Sequence, residues 1–380
     1  MSLSVGIVGL ANVGKSTLFE TLTKKQVNIS NYPFCTIEPN IGIVEVPDER
    51  LDKLAEIFPL NKKIPAIVKF VDIAGLVRGA NKGEGLGNQF LAHIREVDAI
   101  LFVVRCFENA EIIHIEKTVG PIRDIDIVNM ELIFKDLETL DKRIEKAETD
   151  AKSGKKVIAD ELEILKKIKA SLEQGNLARQ FIEQNKNLFN ENSSTGIENL
   201  KIMKEFQLLT AKPGIFILNS NSSDIPQELE KKIKDLNFEY IVANLKDEYD
   251  ASKFSEEEKK ELGLGESKLN EIVSKSYKIL GLITFFTILS NEIHAWTIKQ
   301  GTKVPQAVGT IHTDFENKFI RAEAINWEKL FQIGKDPSKS SGQAISGQDL
   351  WSQAAKIGLL KTEGKEYLVQ DGDVIEVKHS

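Results

Sequence analysis

Short apolar runs and stretches of helical spacing alternate along the first third of the chain. Residues 3–8 are apolar and partly β-branched, which is typical of a buried parallel strand, and residues 17–22 follow with helical spacing. Further apolar strands are predicted within residues 69–75 and at residues 213–218. This alternation predicts an α/β domain.

The pattern changes to heptad spacing beyond this region. Apolar residues separated alternately by three and four positions occur at Met130, Ile133, Leu137, Leu140, Ile144, Ala147 and Ala151. Ser153 and Gly154 interrupt the pattern, and residues 158–172 predict a second amphipathic helix that ends before Gly175. We therefore expect an antiparallel helical arm inserted into the α/β domain. The apolar seam serves either packing within the chain or binding of a partner.

The last hundred residues predict a smaller domain of short strands. Apolar residues at 282–286, too few to cross a bilayer, are followed by candidate strands at 294–298, 311–315, 319–323 and 367–369, with turns at 300–302 and 370–373. Residues 334–348 are rich in Ser, Gly and Gln and predict a loop.

Composition narrows the class of protein. The 380 residues, of which 41% are hydrophobic, are enough for two or three domains. The net charge of −7 excludes a global basic field for nucleic acid. Cys35 and Cys106 are far apart, so neither a disulfide framework nor a zinc site is indicated. The first residues lack the basic start of a signal peptide. We expect a cytoplasmic, soluble protein without membrane contact.

Residues 9–16 carry the most specific chemistry. Their sequence, Gly-Leu-Ala-Asn-Val-Gly-Lys-Ser, fits the phosphate-binding pattern G-x-x-x-x-G-K-[ST]. The glycines let backbone N–H groups point at an anion, Lys15 brings a positive charge to the β- and γ-phosphates, and the Ser16 hydroxyl is a ligand for Mg²⁺. The helix that follows directs its positive dipole end at the same phosphates.

A second motif, D-x-x-G, ends the strand within residues 69–75. Asp72 is expected to hold Mg²⁺ through water, and the N–H of Gly75 to contact the γ-phosphate. Taken alone, an Asp followed by Gly at a strand end is also a common turn.

Two segments flank this motif as candidate switches. Thr36, in a segment bracketed by Pro33 and Pro39, is either a magnesium ligand or a plain turn residue. Residues 79–87 hold many glycines, which fits a loop that orders when a γ-phosphate binds, or a merely flexible surface loop.

Residues 6–16, 31–40, 70–87 and 103–109 resemble the YchF or Obg-like ATPase family, which belongs to the translation-factor class of P-loop proteins. The likeness resumes near residue 281, where the chain is similar to the family's TGS module, a β-grasp domain found on RNA-associated proteins. The resemblance implies an α/β P-loop NTPase domain with an inserted helical coiled-coil arm and a C-terminal β-grasp (TGS) domain. The implied bounds are 1–129 and 206–280 for the nucleotide domain, 130–205 for the arm and 281–380 for the TGS-like domain.

The resemblance also implies roles for individual residues. The residues expected to bind the nucleotide are Asn12, Val13, Gly14, Lys15, Ser16, Thr17, Gly75 and Asn219. Mg²⁺ is expected on Ser16, Thr36 and, through water, Asp72. Leu76 stands where related GTPases carry a glutamine that orients water, and leucine cannot do this. His114 resembles a family histidine proposed for that catalytic role; a lone histidine in an apolar stretch is otherwise more often structural.

The base-reading position departs from the family. No [NT]-K-x-D motif for guanine follows residues 213–218, and the family's N-x-x-E is represented by Asn219 with Ser222 in place of the Glu. The segment Val242–Leu245 is a candidate for the family's S-A-K-L. ATP is the favoured nucleotide, and GTP stays open.

These observations favour a switch that hydrolyses ATP, possibly also GTP, to diphosphate and phosphate. The resemblance implies association with the ribosome or ribosomal RNA, and we expect a monomer. The alternative is a nucleotide-gated binding scaffold with negligible hydrolysis, which Leu76 favours. A P-loop small-molecule kinase would explain residues 9–16 but not the D-x-x-G motif or the C-terminal module.

Overall fold

The computed structural model describes residues 3–24, 40–58, 62–73, 86–151, 157–190, 193–289, 292–335 and 347–379. Contacts divide the chain into two compact units. Within the described residues, one unit holds 3–24, 40–42 and the chain from 69 to 269, and the other holds 43–68 and the chain from 270 onward. Residues 43–68 thus group with the C-terminal part, a division that differs from the predicted domain bounds, and those bounds stay a prediction.

The first unit is built on a six-stranded sheet. Its strand order is β2-β4-β1-β5-β6-β7. The strands are β1 (Ser4–Val8), β2 (Ile41–Glu45), β4 (Ile67–Asp72), β5 (Ala99–Arg105), β6 (Gly214–Asn219) and β7 (Glu239–Ala243). The division by contacts falls within β2 and β4, since residues 43–45 and 67–68 are counted with the second unit. Strand β1 is parallel to both neighbours, and Ile7 lies opposite Asp72 on one side and Leu101 on the other. The carboxyl ends of β1 and β4 therefore meet at the same edge, where α/β sheets place ligands.

Helices connect and cover these strands. In the first unit they are α1 (Lys15–Thr23), α3 (Leu86–Glu96), α4 (Pro121–Ala151), α5 (Val157–Glu173), α6 (Ala178–Gln184), α7 (Ser194–Phe206), α8 (Gln227–Asp235), α9 (Leu245–Ala251) and α10 (Glu256–Glu261), with 3-10 turns at Lys186–Phe189 and Leu209–Ala211. Helix α2 (Glu49–Ile57) and all but the first two residues of α11 (Lys268–Ile279) belong to the second unit. Every residue of β1 after Ser4 and all of β5 and β6 are buried, as parallel strands covered on both faces must be.

The predicted arm corresponds to α4 and α5, which pack against each other. Leu140 and Ala147 of α4 and Leu165 and Ile168 of α5 are buried, in agreement with the predicted seam. Two details were wrong. Helix α4 begins at Pro121, well before the predicted start, and Met130 is 42% exposed and so lies off the seam. Ser153 and Gly154 lie outside the described residues.

Asp136 anchors α4 to the chain that enters β6. Its carboxylate is fully buried and accepts hydrogen bonds from the N–H of Leu209 (2.8 Å), the N–H of Thr210 (2.8 Å) and the Thr210 hydroxyl (2.6 Å). Burial raises the pKa of Asp136 to about 6, against the lowering effect of these hydrogen bonds. The base of the arm is thus fixed by polar contacts as well as by apolar packing.

The second unit contains a six-stranded sheet of order β11-β10-β12-β8-β9-β3. The strands are β3 (Lys62–Ile64), β8 (Leu282–Leu289), β9 (Glu292–Lys299), β10 (Phe319–Asn326), β11 (Lys361–Glu363) and β12 (Asp373–His379). The helices are α12 (Val304–Gly309), α13 (Thr313–Asn317), α14 (Trp327–Gly334) and α15 (Gly347–Lys356). Its core includes Phe285, Ile298, Val308, Phe319 and Ile375. The mixed α/β fold class, with a helical region and a C-terminal sheet domain, is confirmed.

Three local predictions in this unit need correction. Residues 311–315 contain the start of helix α13 and are not a strand, because the His312 side chain accepts from the N–H of Asp314 and caps that helix. Residues 367–369 form no strand and make only a single bridge, between Leu368 and Lys303. The ends of the predicted loop 334–348 belong to α14 and α15, and its middle lies outside the described residues.

Residues 43–68 join this unit through specific contacts. Strand β3 pairs with β9, and the Arg50 guanidinium bonds to Asp48 and Asp371, both at 2.8 Å, while it lies over the Phe286 ring. On β9, His294 stacks on Trp296 with ring centroids 3.6 Å apart, and burial lowers the pKa of His294 to about 4. Among the described residues, none of the helices combines the length and apolar character required for a transmembrane span.

Candidate nucleotide-binding site

The phosphate loop connects the end of β1 to the start of α1. Gly14 has a φ of 108°, and an added Cβ would lie 2.6 Å from Nδ2 of Asn219. At Gly9 an added Cβ would lie 2.4 Å from the carbonyl oxygen of Val103. Both glycines are therefore required by the close approach of neighbouring chain, and at Gly14 also by the backbone conformation.

Lys15 lies inside this loop with only 7% of its surface exposed. Its Nζ donates a hydrogen bond to the carbonyl oxygen of Leu10 at 2.7 Å. Burial lowers the pKa of Lys15 to about 8, although the nearby Asp72 carboxylate acts to raise it. The ammonium group is thus held in the loop and is still largely protonated at neutral pH.

Ser16 and Asp72 meet at the carboxyl edge of the sheet. The Ser16 hydroxyl donates to Oδ2 of Asp72 at 3.3 Å. Burial raises the pKa of Asp72, while the Ser16 hydrogen bond and the Lys15 charge both act to lower it. A hydroxyl beside a carboxylate supplies oxygen donors of the kind that Mg²⁺ accepts together with phosphates. Among the described residues, no cluster of three or more His, Cys, Asp or Glu side chains could hold a metal ion. The Ser16 and Asp72 oxygens fit a magnesium ion that also binds the phosphates of a nucleotide.

Thr36, Gly75 and Leu76 lie outside the described residues, as does most of the glycine-rich segment 79–87. The remaining residues of the loop have separate positions. Val13 is buried, Thr17 is half-buried in the first turn of α1, and Asn12 is exposed with its side-chain amide bonded to the carbonyl oxygen of Ile113 at 3.1 Å. The roles predicted for all these residues stay predictions.

Asn219, at the end of β6, braces the phosphate loop. Its Nδ2 donates to the carbonyl oxygen of Val13 at 2.9 Å, and its Oδ1 accepts from the N–H of Leu245 at 3.1 Å. Both polar ends of this buried side chain are therefore used within the protein. The arrangement holds the loop against the start of α9.

The base-reading region around residues 219–222 and 244 is more open. Ser222 is exposed, and its hydroxyl accepts a hydrogen bond from the N–H of Asp224 at 3.1 Å. Asn244 caps α9 and donates to Oδ1 of Asn221 at 3.3 Å. Ser222 and the segment containing Asn244 are the positions that the sequence predicts for base reading, and that role stays a prediction.

His114 is placed differently from what a water-orienting residue requires. It is only 5% exposed; its Nδ1 accepts from the N–H of Glu116 at 3.1 Å, and its Nε2 lies 2.9 Å from Oδ2 of Asp124. Because Nδ1 accepts, Nε2 carries the proton and donates to the carboxylate. Neither nitrogen is available to water in this arrangement, so the predicted catalytic role would require the loop to rearrange.

Sequence reasoning missed two of the residues that organise this region. Asp124, the partner of His114, follows it by ten positions without any motif spacing. Arg105 is the polar end of the otherwise apolar strand β5 and is only 1% exposed. An arginine at the end of a fully buried run was the available signal.

Two family models match this chain, one at each end. The family model described as 50S ribosome-binding GTPase matches residues 4–157, and the YchF-GTPase C-terminal model, described as a protein of unknown function, matches residues 282–380. A Bacillus subtilis protein named Ribosome-binding ATPase YchF is 43% identical over 392 residues, which cover 100% of this chain and 99% of the relative. The chain belongs to the YchF family.

Other YchF proteins give the same result. The Mycoplasma genitalium protein of the same name is 42% identical and covers 99% of both chains. A solved structure titled Schizosaccharomyces pombe YchF GTPase has a TM-score of 0.80 and 35% identity, covering 99% of this chain and 98% of that chain. The resemblance stated from the motifs is confirmed, and the first unit carries a P-loop NTPase domain.

Proposed function

We propose that the protein is a nucleotide-dependent switch that hydrolyses ATP, with GTP as the alternative substrate, to the nucleoside diphosphate and phosphate, and that it associates with the ribosome. The observation that carries the proposal is the placement of Lys15, Ser16 and Asp72 at one edge of the sheet. This edge supplies a cation for the phosphates of a nucleoside triphosphate and oxygen ligands for its Mg²⁺.

The residues divide the work of binding. Lys15 exchanges its bond to Leu10 for the β- and γ-phosphates, and backbone N–H groups at the start of α1 complete the contact. Ser16, Thr36 and, through water, Asp72 would hold Mg²⁺, which when bound neutralises the charge that develops on the phosphates.

Phosphate release tests the enzymatic part of the proposal. Lys15→Ala should abolish release from ATP, because the loop loses its only cation, whereas Lys24→Ala should not. Lys24 is a matched control because it lies at the carboxyl end of α1, the helix that Lys15 begins, and its Nζ donates to the Ser252 hydroxyl instead of facing the phosphate loop. If the wild type releases no more phosphate than Lys15→Ala, the enzymatic reading is wrong.

The second candidate is a nucleotide-gated scaffold with negligible hydrolysis. It is favoured by Leu76, which has no polar group, and by the two satisfied nitrogens of His114. The same phosphate-release assay distinguishes the two functions, provided that nucleotide binding is measured in parallel. Binding that depends on Lys15 without turnover supports the scaffold.

The preference for ATP needs its own test, since the relatives carry both names: ATPase for the bacterial proteins and GTPase for the yeast structure. Ser222 stands where the family has glutamate. We expect Ser222→Glu to change the ratio of the dissociation constants for ATP and GTP, and Ser223→Glu, at the next exposed position, to leave it unchanged. An unchanged ratio in Ser222→Glu would remove this residue from base selection.

The ribosomal and cellular parts of the proposal rest on the names of the relatives. Sedimentation of the purified protein with ribosomes, with and without ATP and Mg²⁺, tests this association. Co-sedimentation that depends on nucleotide state supports a switch. We further propose that the protein is cytoplasmic and monomeric.

A further inference from the structure

Arg105 is a buried cation whose partners are backbone carbonyls. Its Nε donates to the carbonyl oxygen of Phe107 at 3.0 Å, Nη1 to that of Ile112 at 3.0 Å, and Nη2 to that of Asn109 at 3.2 Å. The guanidinium also lies 4.7 Å from the centroid of the Phe107 ring. Among the described residues, no carboxylate bonds to it.

Burying a cation without a counter-ion is costly, so the side chain must serve a purpose that an apolar residue would not. A guanidinium presents five donors in a rigid fork, and three separate carbonyls bonded to one fork cannot move independently. The segment from residue 107 to residue 112 is therefore wrapped around Arg105. Its conformation depends on this side chain.

The apolar side chains at the end of this segment are incompletely covered. Ile112, Ile113 and Ile115 are 39%, 80% and 36% exposed. The segment is held by hydrogen bonds instead: Ile112 to Arg105, Ile113 to Asn12 of the phosphate loop at 3.1 Å, and His114 to Asp124 at 2.9 Å. A continuous path of contacts thus joins Arg105 to the phosphate loop.

We infer that Arg105 is a positioning residue for nucleotide turnover, which it supports by holding residues 107–114 against the phosphate loop. The inference rests on the proposed hydrolysis. Arg105 itself bonds to none of Lys15, Ser16 or Asp72, so its removal leaves these three groups in place. Hydrolysis depends on the geometry around the bound phosphates, so its rate is what falls when Arg105 is removed.

The expected signature is a fall in kcat with an unchanged affinity. A displacement of about 1 Å in a catalytic arrangement can cost about a hundredfold in rate, so we expect kcat of Arg105→Ala to fall by about tenfold to a hundredfold. The dissociation constant for ATP should stay within about twofold, because the same phosphate contacts are made. Arg105→Lys, which keeps the charge but lacks the fork, should show the same split and covers the case in which the alanine variant does not fold.

Arg179→Ala is the matched control. Arg179 is a half-buried arginine of the same unit that stacks on Phe238 at 3.9 Å and makes no contact with residues 107–114. Arg179→Ala should lower the free energy of unfolding, but it should not lower kcat while leaving the dissociation constant for ATP unchanged. Adding methylguanidinium to Arg105→Ala should restore part of kcat, whereas an equal concentration of sodium chloride should not.

The measurements are phosphate release at saturating ATP, equilibrium binding of ATP, and thermal unfolding by circular dichroism. A double variant of Arg105→Lys with Asn12→Ala should be no slower at saturating ATP than the slower single variant, because both break one path. A normal kcat in the Arg105 variants would overturn the inference. A joint fall of kcat and of the affinity for ATP that methylguanidinium does not reverse would also overturn it. In both cases the proposed hydrolysis stands as long as the wild type releases phosphate in a way that depends on Lys15. Absence of Lys15-dependent hydrolysis in the wild type would overturn both.

Discussion

Replacing Gly14 by alanine tests how tightly the phosphate loop is packed. The φ of 108° is in the region that L-residues avoid, and the new Cβ would lie 2.6 Å from Nδ2 of Asn219 and 3.1 Å from Cδ1 of Leu245. The backbone conformation alone costs about 1–2 kcal/mol. Displacement of Asn219 also leaves the carbonyl of Val13 without its partner, at about 1–3 kcal/mol. We expect Gly14→Ala to lower the free energy of unfolding by about 2–5 kcal/mol.

Gly175→Ala separates the two contributions, because Gly175 has a φ of 85° but no atom within 4 Å of the added Cβ. It should cost only the conformational part, about 1–2 kcal/mol. The assay is urea unfolding followed by far-UV circular dichroism, since the tryptophans report on the other unit; they are Trp296, Trp327 and Trp351. Equal losses in the two variants would refute the packing argument.

Three further predictions use buried ionisable groups. Because phosphates need a protonated Lys15 and its pKa is about 8, ATP should bind about tenfold more weakly at pH 9 than at pH 7. Asp136→Ala should lower the free energy of unfolding by about 2–4 kcal/mol, since three buried donors lose their acceptor. His294 has a folded pKa of about 4 against an ordinary value of 6.5, so the unfolded state gains its proton first as the pH falls. The second unit should therefore lose about 2 kcal/mol between pH 8 and pH 5, as measured by tryptophan fluorescence.

Each of these predictions has a control. Lys15→Arg keeps its charge at high pH, so its affinity for ATP should not change between pH 7 and pH 9. Asp141→Ala should have a small effect, because Asp141 is half-exposed in an ion pair with Lys169. His294→Gln should remove most of the acid sensitivity. The argument for Lys15 is contradicted if the affinity of Lys15→Arg for ATP depends on pH as in the wild type. The argument for Asp136 is contradicted if Asp141→Ala lowers the free energy of unfolding as much as Asp136→Ala does. The argument for His294 is contradicted if His294→Gln is as sensitive to acid as the wild type.

The parts of the fold that the sequence predicts are those that depend on local chemistry. The strand before Gly9 and the helix after Lys15 follow from a glycine pattern and apolar spacing within some twenty residues. The arm follows from a seam that repeats with the helical period, whereas helix α4 begins at Pro121 and its buried Ile125 and Val128 precede the predicted seam. The heptad pattern therefore marks the part of the helix that belongs to the seam and not where the helix begins.

The assignment of residues 43–68 to the second unit could not be predicted from the sequence. It depends on pairs far apart in the chain, such as Arg50 with Asp371 and Ile64 with His294. The strand prediction at 311–315 was wrong for a related reason: the His312 cap outweighs β-propensity. Non-local pairing and single side-chain caps are both invisible to hydrophobic periodicity.

At the candidate site, the residues of the phosphate pattern were predicted and their supports were not. A motif specifies the groups that touch a ligand, whereas the side chains that brace them have no required spacing. Arg105 and Asp124 bond to residues 107–114 at separations of two to ten positions, and no motif marks either residue in the sequence. Asn219 was predicted as a ligand of the nucleotide, and both its polar ends are bonded to protein atoms.

The bracing of Asn219 has a consequence for how such a chain can change over evolutionary time. Position 219 is constrained by folding, because its amide joins Val13 to Leu245. Position 222 is exposed, and its hydroxyl bonds only to the backbone of Asp224 among the described residues. Under the proposed role of Ser222 in base selection, a change of base could arise at position 222 at little cost in stability, while the brace of the phosphate loop at position 219 is kept.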